Sequence, residues 1–343
     1  MHVCNYFWLG GVPMFIRDFM QVYPEFHHVV VYLNEALRGV SSHADYEMMQ
    51  EWELVFGADI GHADGNVLTK AIVDEINPAF QILHCTPSRS IEGEFPHSWL
   101  NERPLIYVHH MPTKLNLGAD MDLFVSEYLK RTHYSELLAS MKNPVVCPPC
   151  IDAAKYKSIE RSPDNARCVI GKLCSSWNAK KYPPQLQRVL AHIGKKYSQT
   201  TFEVVGAAKH WPRPVIPRLS MPAEKSKPVQ TFLAGYDIFV YMNDSTLPET
   251  WGRSVTEAMA AGLPVVADRR GGIVEQIEDG VDGFLCLTEA EYIDRISMLV
   301  EDPKLRYEMG QRAREKACRD FGLPQLRERT CGVLFQSPVG ATS

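Results

Sequence analysis

The chain has 343 residues, 45% of them hydrophobic and 22% charged, which is enough to bury two α/β cores and too many for one ordinary core. The net charge of −5 is unevenly spread: residues 1–150 hold 9 Lys+Arg against 18 Asp+Glu, and the remainder 27 against 23, so a nucleic-acid or anionic-membrane surface on the first half is disfavoured and a polyanion suits the second. No run of about 18 uncharged apolar residues occurs, so no transmembrane segment is expected; the start, from Met1 to Phe7, looks like a strand rather than a signal peptide, and nine scattered cysteines fit reduced thiols in a cytoplasmic protein.

Short apolar runs of β character alternate with longer stretches of helical spacing in both halves. In chain order the first half predicts strands at 2–7, 29–33, 81–84, 105–109, 123–126 and 144–147, with helices at 14–22 and 66–76. The second half predicts strands at 167–173, 202–206, 238–242, 264–267 and 283–287, with helices at 184–196, 254–261 and 289–300. Such alternation means βαβ units and parallel sheets, one Rossmann-like domain per half. Prolines 144, 148, 149 and 163 mark the junction. The expected domains are 1–150 and 151–325, followed by a terminal helix and tail, 326–343, that packs back toward the first domain. Cys147-Pro-Pro-Cys150 has the spacing of half a zinc site, but no second CxxC completes it.

The chemistry concentrates between Asp237 and Gly283. A strand ends in the polar loop from Asn243 to Gly252, a helix starts near Arg253, and Gly262 stops it. A second strand ends in Asp268-Arg269-Arg270-Gly271-Gly272, which is expected to open another helix at Ile273. Two such junctions at neighbouring strand ends present backbone N–H groups and positive helix ends, which suit an anion. Gly252, Gly271 and Gly272 allow close backbone approach to a ligand. Glu249 and Glu257, eight residues apart, flank the anion position, where carboxylates are useful as acceptors for hydroxyls. A nucleotide sugar offers two such polyols, one on each side of a diphosphate.

The run from Glu249-Thr-Trp-Gly-Arg-Ser-Val-Thr-Glu257 to Ala267 resembles the E-x7-E signature of family 4 of the retaining glycosyltransferases, which have the two-domain GT-B fold. The continuation, Gly271-Gly272-Ile-Val-Glu275 through Gly280-Val-Asp-Gly283-Phe-Leu, resembles it also. The resemblance implies an α/β GT-B architecture, two Rossmann-like parallel-sheet domains facing across a cleft. It implies a metal-independent hexosyltransferase that needs no cofactor and takes a nucleotide diphosphate sugar as co-substrate. Glu249 is then expected to hold the sugar and Glu257 the ribose, with Trp251, Gly252, Arg253 and Ser254 at the donor. Gly10-Gly11-Val12 resembles the family's glycine loop against the donor phosphates. His109, with His110 as rival, fits the family's histidine near the transferred sugar. Val169-Ile-Gly171-Lys172-Leu173 is similar to the family's v-G-R-L, with lysine for arginine. Lys172 and a following cation, Lys181 or Lys180, are expected on the diphosphate, and Lys keeps the charge but loses the bidentate fork. The Asp120-Met-Asp122 run is read as the start of a family strand rather than a metal motif, and the CxxC as part of the linker.

The catalytic set expected from the resemblance is His109, Glu249 and Lys181. The acceptor, a small molecule or glycan, would meet the first domain near 37–65 and 87–103 (Ser88, Arg89, Glu92, Trp99); nucleic acid is not expected there. Two other readings stand beside transfer: a nucleotide-sugar epimerase or phosphorylase on the same fold, and a non-catalytic nucleotide-sugar-binding protein.

Overall fold

The computed structural model describes residues 1–4, 11–32, 53–56, 71, 73–84, 104–112, 116–163, 167–174, 178–212, 214–223 and 226–334. The chain divides into two compact units, Met1–Cys150 with Pro324–Ser343, and Ile151–Leu323. Each is an α/β unit on a parallel sheet, the class that the strand–helix alternation predicts.

The first unit contains strands β1 (His2–Cys4), β2 (Val29–Tyr32), β3 (Glu53–Phe56), β4 (Gln81–Leu83), β5 (Leu105–His109), β6 (Met121–Phe124) and β7 (Pro144–Val146). They pair in parallel in the order β3-β2-β1-β4-β5-β6-β7. β3 was not expected: Glu53-Leu-Val-Phe holds only three apolar residues in a row, too few to show a strand period. Helix α1 (Gly11–Val22) buries Phe15, Ile16 and Phe19, a spacing of one and three that keeps the three on one helical face. Helix α2 (Glu127–His133) starts where the Ser126 hydroxyl accepts from Leu129 N–H and ends in Lys130, Arg131 and His133, which suit the negative end of its dipole. Of the helix expected at 66–76, residues 71 and 73–76 are described and helical.

The second unit contains β8 (Cys168–Lys172), β9 (Thr200–Val204), β10 (Leu219–Ser220), β11 (Ile238–Tyr241), β12 (Val265–Asp268) and β13 (Gly283–Cys286), all parallel, in the order β10-β9-β8-β11-β12-β13. Its helices are α3 (Pro184–Lys196), α4 (Val229–Ala234), α5 (Arg253–Ala260), α6 (Glu289–Glu301) and α7 (Pro303–Asp320). The sheet is covered on both faces, so both faces of its central strands are apolar. β11 shows the division. Ile238 and Val240 join a core with Leu186 and Ile193 of α3 and Tyr292 and Ile296 of α6. Phe239 and Tyr241 join another with Phe232 of α4, Val255 and Met259 of α5 and Ala313 of α7. Thr288 and Asp302 cap α6 and α7 through Glu291 and Leu305 N–H.

The tail forms α8 (Leu323–Leu334). Within the first unit it meets α1: Tyr23 Oη lies 2.6 Å from Thr330 Oγ1, and the Arg327 guanidinium donates to Val22 O at 2.6 Å and to the Glu25 carboxylate. Both sheets reverse direction once, between β1 and β4 and between β8 and β11. In open parallel sheets ligands gather at the carboxyl ends of the strands beside such reversals.

Candidate functional site

In the second unit the carboxyl ends of β8, β11 and β12 bring the predicted residues together. The carboxylate of Glu249 is the node. Its Oε2 accepts from Tyr241 Oη at 2.8 Å, lies 3.5 Å from Asn243 Nδ2 and forms an ion pair with Lys181 Nζ at 3.4 Å. Glu249 and Lys181 keep 18% and 15% of their side chains exposed, so both are reachable while largely desolvated. Burial pushes the Tyr241 hydroxyl well above its usual range, and nearby Glu249 adds to the effect. The phenol therefore stays protonated and donates to the carboxylate.

The backbone of Glu249 is held as firmly as its side chain. Its carbonyl accepts from Gly272 N–H at 2.8 Å. Gly271 adopts φ +62°, and a β-carbon there would sit 2.2 Å from Glu249 O. The glycine pair thus makes its close approach to the Glu249 loop, where a ligand contact was expected. The helix expected at Ile273 is instead a 3₁₀ turn, Gly271–Glu275.

A second clamp acts on the start of α5. Gln276 is fully buried; its Oε1 accepts from Gly252 N–H at 3.2 Å, and its Nε2 donates to Gly252 O at 2.9 Å and Thr256 Oγ1 at 2.6 Å. Gly252 carries no side-chain cap, and the helix ladder begins with Val255 and Thr256 N–H on Gly252 O. The Arg253 and Ser254 amides precede that ladder at the positive end of the helix. Arg253 Nε donates to Glu257 Oε1 at 3.1 Å, one turn along α5.

The β11 loop is tied down on two sides. Asp268, at the end of β12, accepts from Asn243 N–H at 2.8 Å and from Tyr292 Oη at 2.9 Å, and pairs with Arg270 at 3.1 Å. Arg270 also donates to Asn243 O at 3.0 Å. On the other side Asp244 N–H donates to Lys180 O at 2.7 Å. Lys180 itself is exposed, whereas Lys181 reaches Glu249.

Two predicted donor residues sit differently from expectation. Lys172 is 1% exposed; its ammonium fills the reversal between β8 and β11, donating to Met242 O at 3.0 Å and lying 4.7 Å from the Tyr241 ring centre. Burial lowers its pKa. Among the described residues the ammonium faces Met242 O and the Tyr241 ring rather than solvent. Trp251 is 7% exposed and packs edge-on to Phe321 at 5.2 Å, so it supports the loop from below.

In the first unit His109 is also enclosed. Its Nε2 donates to Asp122 Oδ1 at 2.7 Å, with both side chains fully buried, and the ring is boxed by Tyr107, Phe124 and Tyr134 at 4.1, 4.3 and 4.7 Å. Burial lowers its pKa, partly offset by Asp122. His110 is partly exposed. Asp120 has structural partners, Leu105 N–H and Lys142. Gly11 opens α1, while Gly10 and the candidate acceptor segments at 37–52, 57–65 and 87–103 lie outside the described residues. Cys147 and Cys150 are buried thiols, and Cys150 Sγ lies 3.5 Å from Pro148 O.

Sequence reasoning missed Tyr241, Asn243, Asp268 and Gln276. Tyr241 and Asp268 stand at strand ends, where a polar atom after an apolar run is a usable signal. Nothing near Gln276 marks it out, because its role depends on a neighbour 24 positions away.

Residues 175–316, inside the second unit, match the family model of glycosyl transferases group 1. Trehalose synthase of Pyrococcus horikoshii is 33% identical over 109 residues, which are 32% of this chain and 26% of that protein. The N-acetyl-alpha-D-glucosaminyl L-malate synthase of Bacillus anthracis is 34% identical over 99 residues, 28% of this chain and 25% of that protein. The matched stretch thus spans about a quarter of each relative's length. Among solved structures, Anabaena HepE in complex with UDP and glucose is similar over 97% of this chain and 99% of its own, with TM-score 0.76 and 18% identity. The fold is that of these two-sheet proteins, and the second unit carries the group 1 region.

Proposed function

We propose that the protein is a retaining glycosyltransferase of family 4 that moves a sugar from a nucleotide diphosphate sugar to an acceptor hydroxyl. The observation that supports this most is the pairing of Glu249 with Lys181, at the carboxyl end of a parallel sheet, beside the amino end of α5. A carboxylate and an ammonium, desolvated and held from several sides, suit a sugar hydroxyl and a leaving phosphate respectively.

In this reading Lys181 and the Arg253 and Ser254 amides stabilise the charge that grows on the diphosphate as the anomeric bond breaks. Glu249 accepts hydrogen bonds from the sugar. Glu257, turned by Arg253, accepts from the ribose. Lys172 contributes without contact, holding Tyr241 beneath Glu249 and adding positive potential under the site. With protein cations and helix amides opposite the phosphates, the reaction needs no metal and no resident cofactor. Uracil is the first base to test, because HepE was crystallised with UDP.

The test is release of nucleoside diphosphate from a panel of UDP-, GDP-, ADP- and dTDP-sugars, with and without simple glycan acceptors. Wild-type protein should turn over one of them, and Glu249→Ala and Lys181→Ala should abolish turnover while unfolding at near wild-type denaturant concentrations. Full activity in both variants would sink the assignment.

A further inference from the structure

Tyr241 is the last residue of β11, and alternation along that strand turns its ring, like that of Phe239, into the core with Val255 and Met259 of α5. The two ring centres are 6.4 Å apart. A phenylalanine would serve that packing as well as a tyrosine. What the tyrosine adds is a hydroxyl, and a buried hydroxyl costs free energy unless it is hydrogen-bonded. This one donates to Glu249, eight residues on, at 2.8 Å. The ring that carries it is fixed in place: the Lys172 ammonium lies 4.7 Å from its centre, and Tyr292 Oη donates to the Tyr241 carbonyl at 3.1 Å.

The two oxygens of the Glu249 carboxylate are used unequally. Tyr241 Oη, Lys181 Nζ and Asn243 Nδ2 lie 2.8, 3.4 and 3.5 Å from one and the same oxygen, Oε2. A carboxylate oxygen has about two lone pairs, so three donors leave Oε2 nothing further to offer. Oε1 meets no donor among the described residues, and it is open to solvent on a side chain that keeps 18% of its surface exposed. The ammonium can only donate, and the phenol, whose proton burial retains, donates as well. At the other end of the residue the Glu249 carbonyl is held by Gly272 N–H. Fixed by its backbone and by Oε2, the side chain presents Oε1 in one direction.

We propose that Tyr241 is a positioning residue for the donor site: it holds Glu249 by Oε2, so that Oε1 is offered as an acceptor to one donor group of the transferred sugar. The group recognised there is a hydroxyl or an N–H. A sugar with a hydrogen or a carbonyl oxygen in that place leaves Oε1 unpaired and is discriminated against. Tyr241 itself is 2% exposed and acts only through Glu249. Every residue involved belongs to the second unit. The sugar as occupant rests on the glycosyltransferase reading; the division of the carboxylate does not.

The experiment is calorimetric titration of the full chain with paired probes, the UDP-, GDP-, ADP- and dTDP-sugars and each nucleoside diphosphate alone. Tyr241→Phe should weaken the nucleotide sugar that binds by about ten-fold and leave its diphosphate within about two-fold, because only the sugar meets Oε1. One monodeoxy form of that sugar should bind about ten-fold more weakly than its parent in the wild type, and the penalty should shrink in Tyr241→Phe. Equal weakening of sugar nucleotide and diphosphate, as a merely structural role would give, or no weakening of either, would overturn the proposal. In Glu249→Gln the Lys181 ammonium draws the amide oxygen to the Oε2 position, so an NH2 group faces the sugar. The nucleotide sugar should weaken at least as much there, and the diphosphate should not. If Tyr241→Phe does not fold, an unweakened nucleotide sugar in Glu249→Gln overturns the proposal equally. Binding of neither probe by the wild type would instead defeat the donor reading. A ligand-free urea titration of Tyr241→Phe, Glu249→Ala and the double variant still decides the positioning role: the coupling should be about ten-fold in the unfolding constant, and additive losses would overturn it.

Discussion

Glu249 and Glu257 differ in what surrounds them, and their substitution should differ accordingly. Glu249 is met by Tyr241, Asn243 and Lys181, three donors that preset one carboxylate orientation. Glu249→Ala removes the acceptor proposed for the sugar and leaves Lys181 without that counter-charge. If hydrogen bonds to a charged group are worth about 1.5–3 kcal/mol, kcat/KM should fall by roughly ten- to a hundred-fold per bond lost, through donor binding as well as kcat. Glu257 is proposed to touch the ribose, which does not change charge in the reaction. Glu257→Ala should therefore raise KM and leave kcat nearly as it was. Steady-state release of nucleoside diphosphate separates the two patterns. Gln276 makes a third case: Gln276→Leu leaves Gly252 N–H and O buried without those partners. Stability should drop by about 2–4 kcal/mol in urea titrations. The two glutamates were legible in the sequence because their spacing and flanking glycines form a local pattern. Gln276 was not, since a side-chain amide that bonds backbone across 24 positions leaves no mark in its neighbours. The burial of Lys172 and His109 was hidden for a related reason: a residue type at a strand end does not say whether the strand reversal beside it is already filled.

At the scale of elements, the second sheet was the more readable. Glycine and proline punctuate it at Gly206, Gly262, Pro264 and Gly280, and α3 runs from Pro184 to Lys196, matching the predicted span. β10, two residues long, and α4, six residues long, were missed because neither is long enough to repeat its period twice. The glycine turn after β12 was recognised, but its purpose is to seat Glu249. Gly271→Ala and Gly280→Ala test this. Both positions have positive φ, +62° and +80°, yet a β-carbon at Gly280 meets nothing within 4 Å, whereas at Gly271 it meets Glu249 O at 2.2 Å. Gly280→Ala should cost only backbone strain, about 1 kcal/mol. Gly271→Ala should cost about 2–4 kcal/mol and depress turnover as well, because Glu249 must move. Equal effects in chemical denaturation and in turnover would contradict the clamp.

For the whole molecule the buried rings of His2 and His84 give a pH dependence that the net charge does not. His2 and His84 have folded-state pKa values well below the ordinary 6.5. They are neutral when folded, so their stabilising contribution is complete above about pH 6.5 and is lost as pH falls below it. Each such ring should steepen the loss by about 1.4 kcal/mol per pH unit. Urea midpoints at pH 7.5, 6.0 and 5.0 should fall accordingly, and His84→Phe should flatten the slope. The two-unit organisation was visible in the sequence as alternation and a proline-rich junction. The acceptor segments expected at 37–65 and 87–103 rested on isolated residues rather than a spaced pattern, and all of them but 53–56 lie outside the described residues.

The account rests on a nucleotide diphosphate sugar bound at the carboxyl edge of the second sheet. The most direct measurement is thermal unfolding against UDP-, GDP-, ADP- and dTDP-sugars, in wild type and in Glu249→Ala and Lys181→Ala. At a hundred times its dissociation constant a ligand stabilises the folded chain by about 2.7 kcal/mol. One nucleotide sugar should raise the wild-type midpoint by several degrees and leave both variants unmoved or nearly so. A panel that shifts nothing, or a shift that survives intact in both variants, would contradict the donor site described for Glu249 and Lys181.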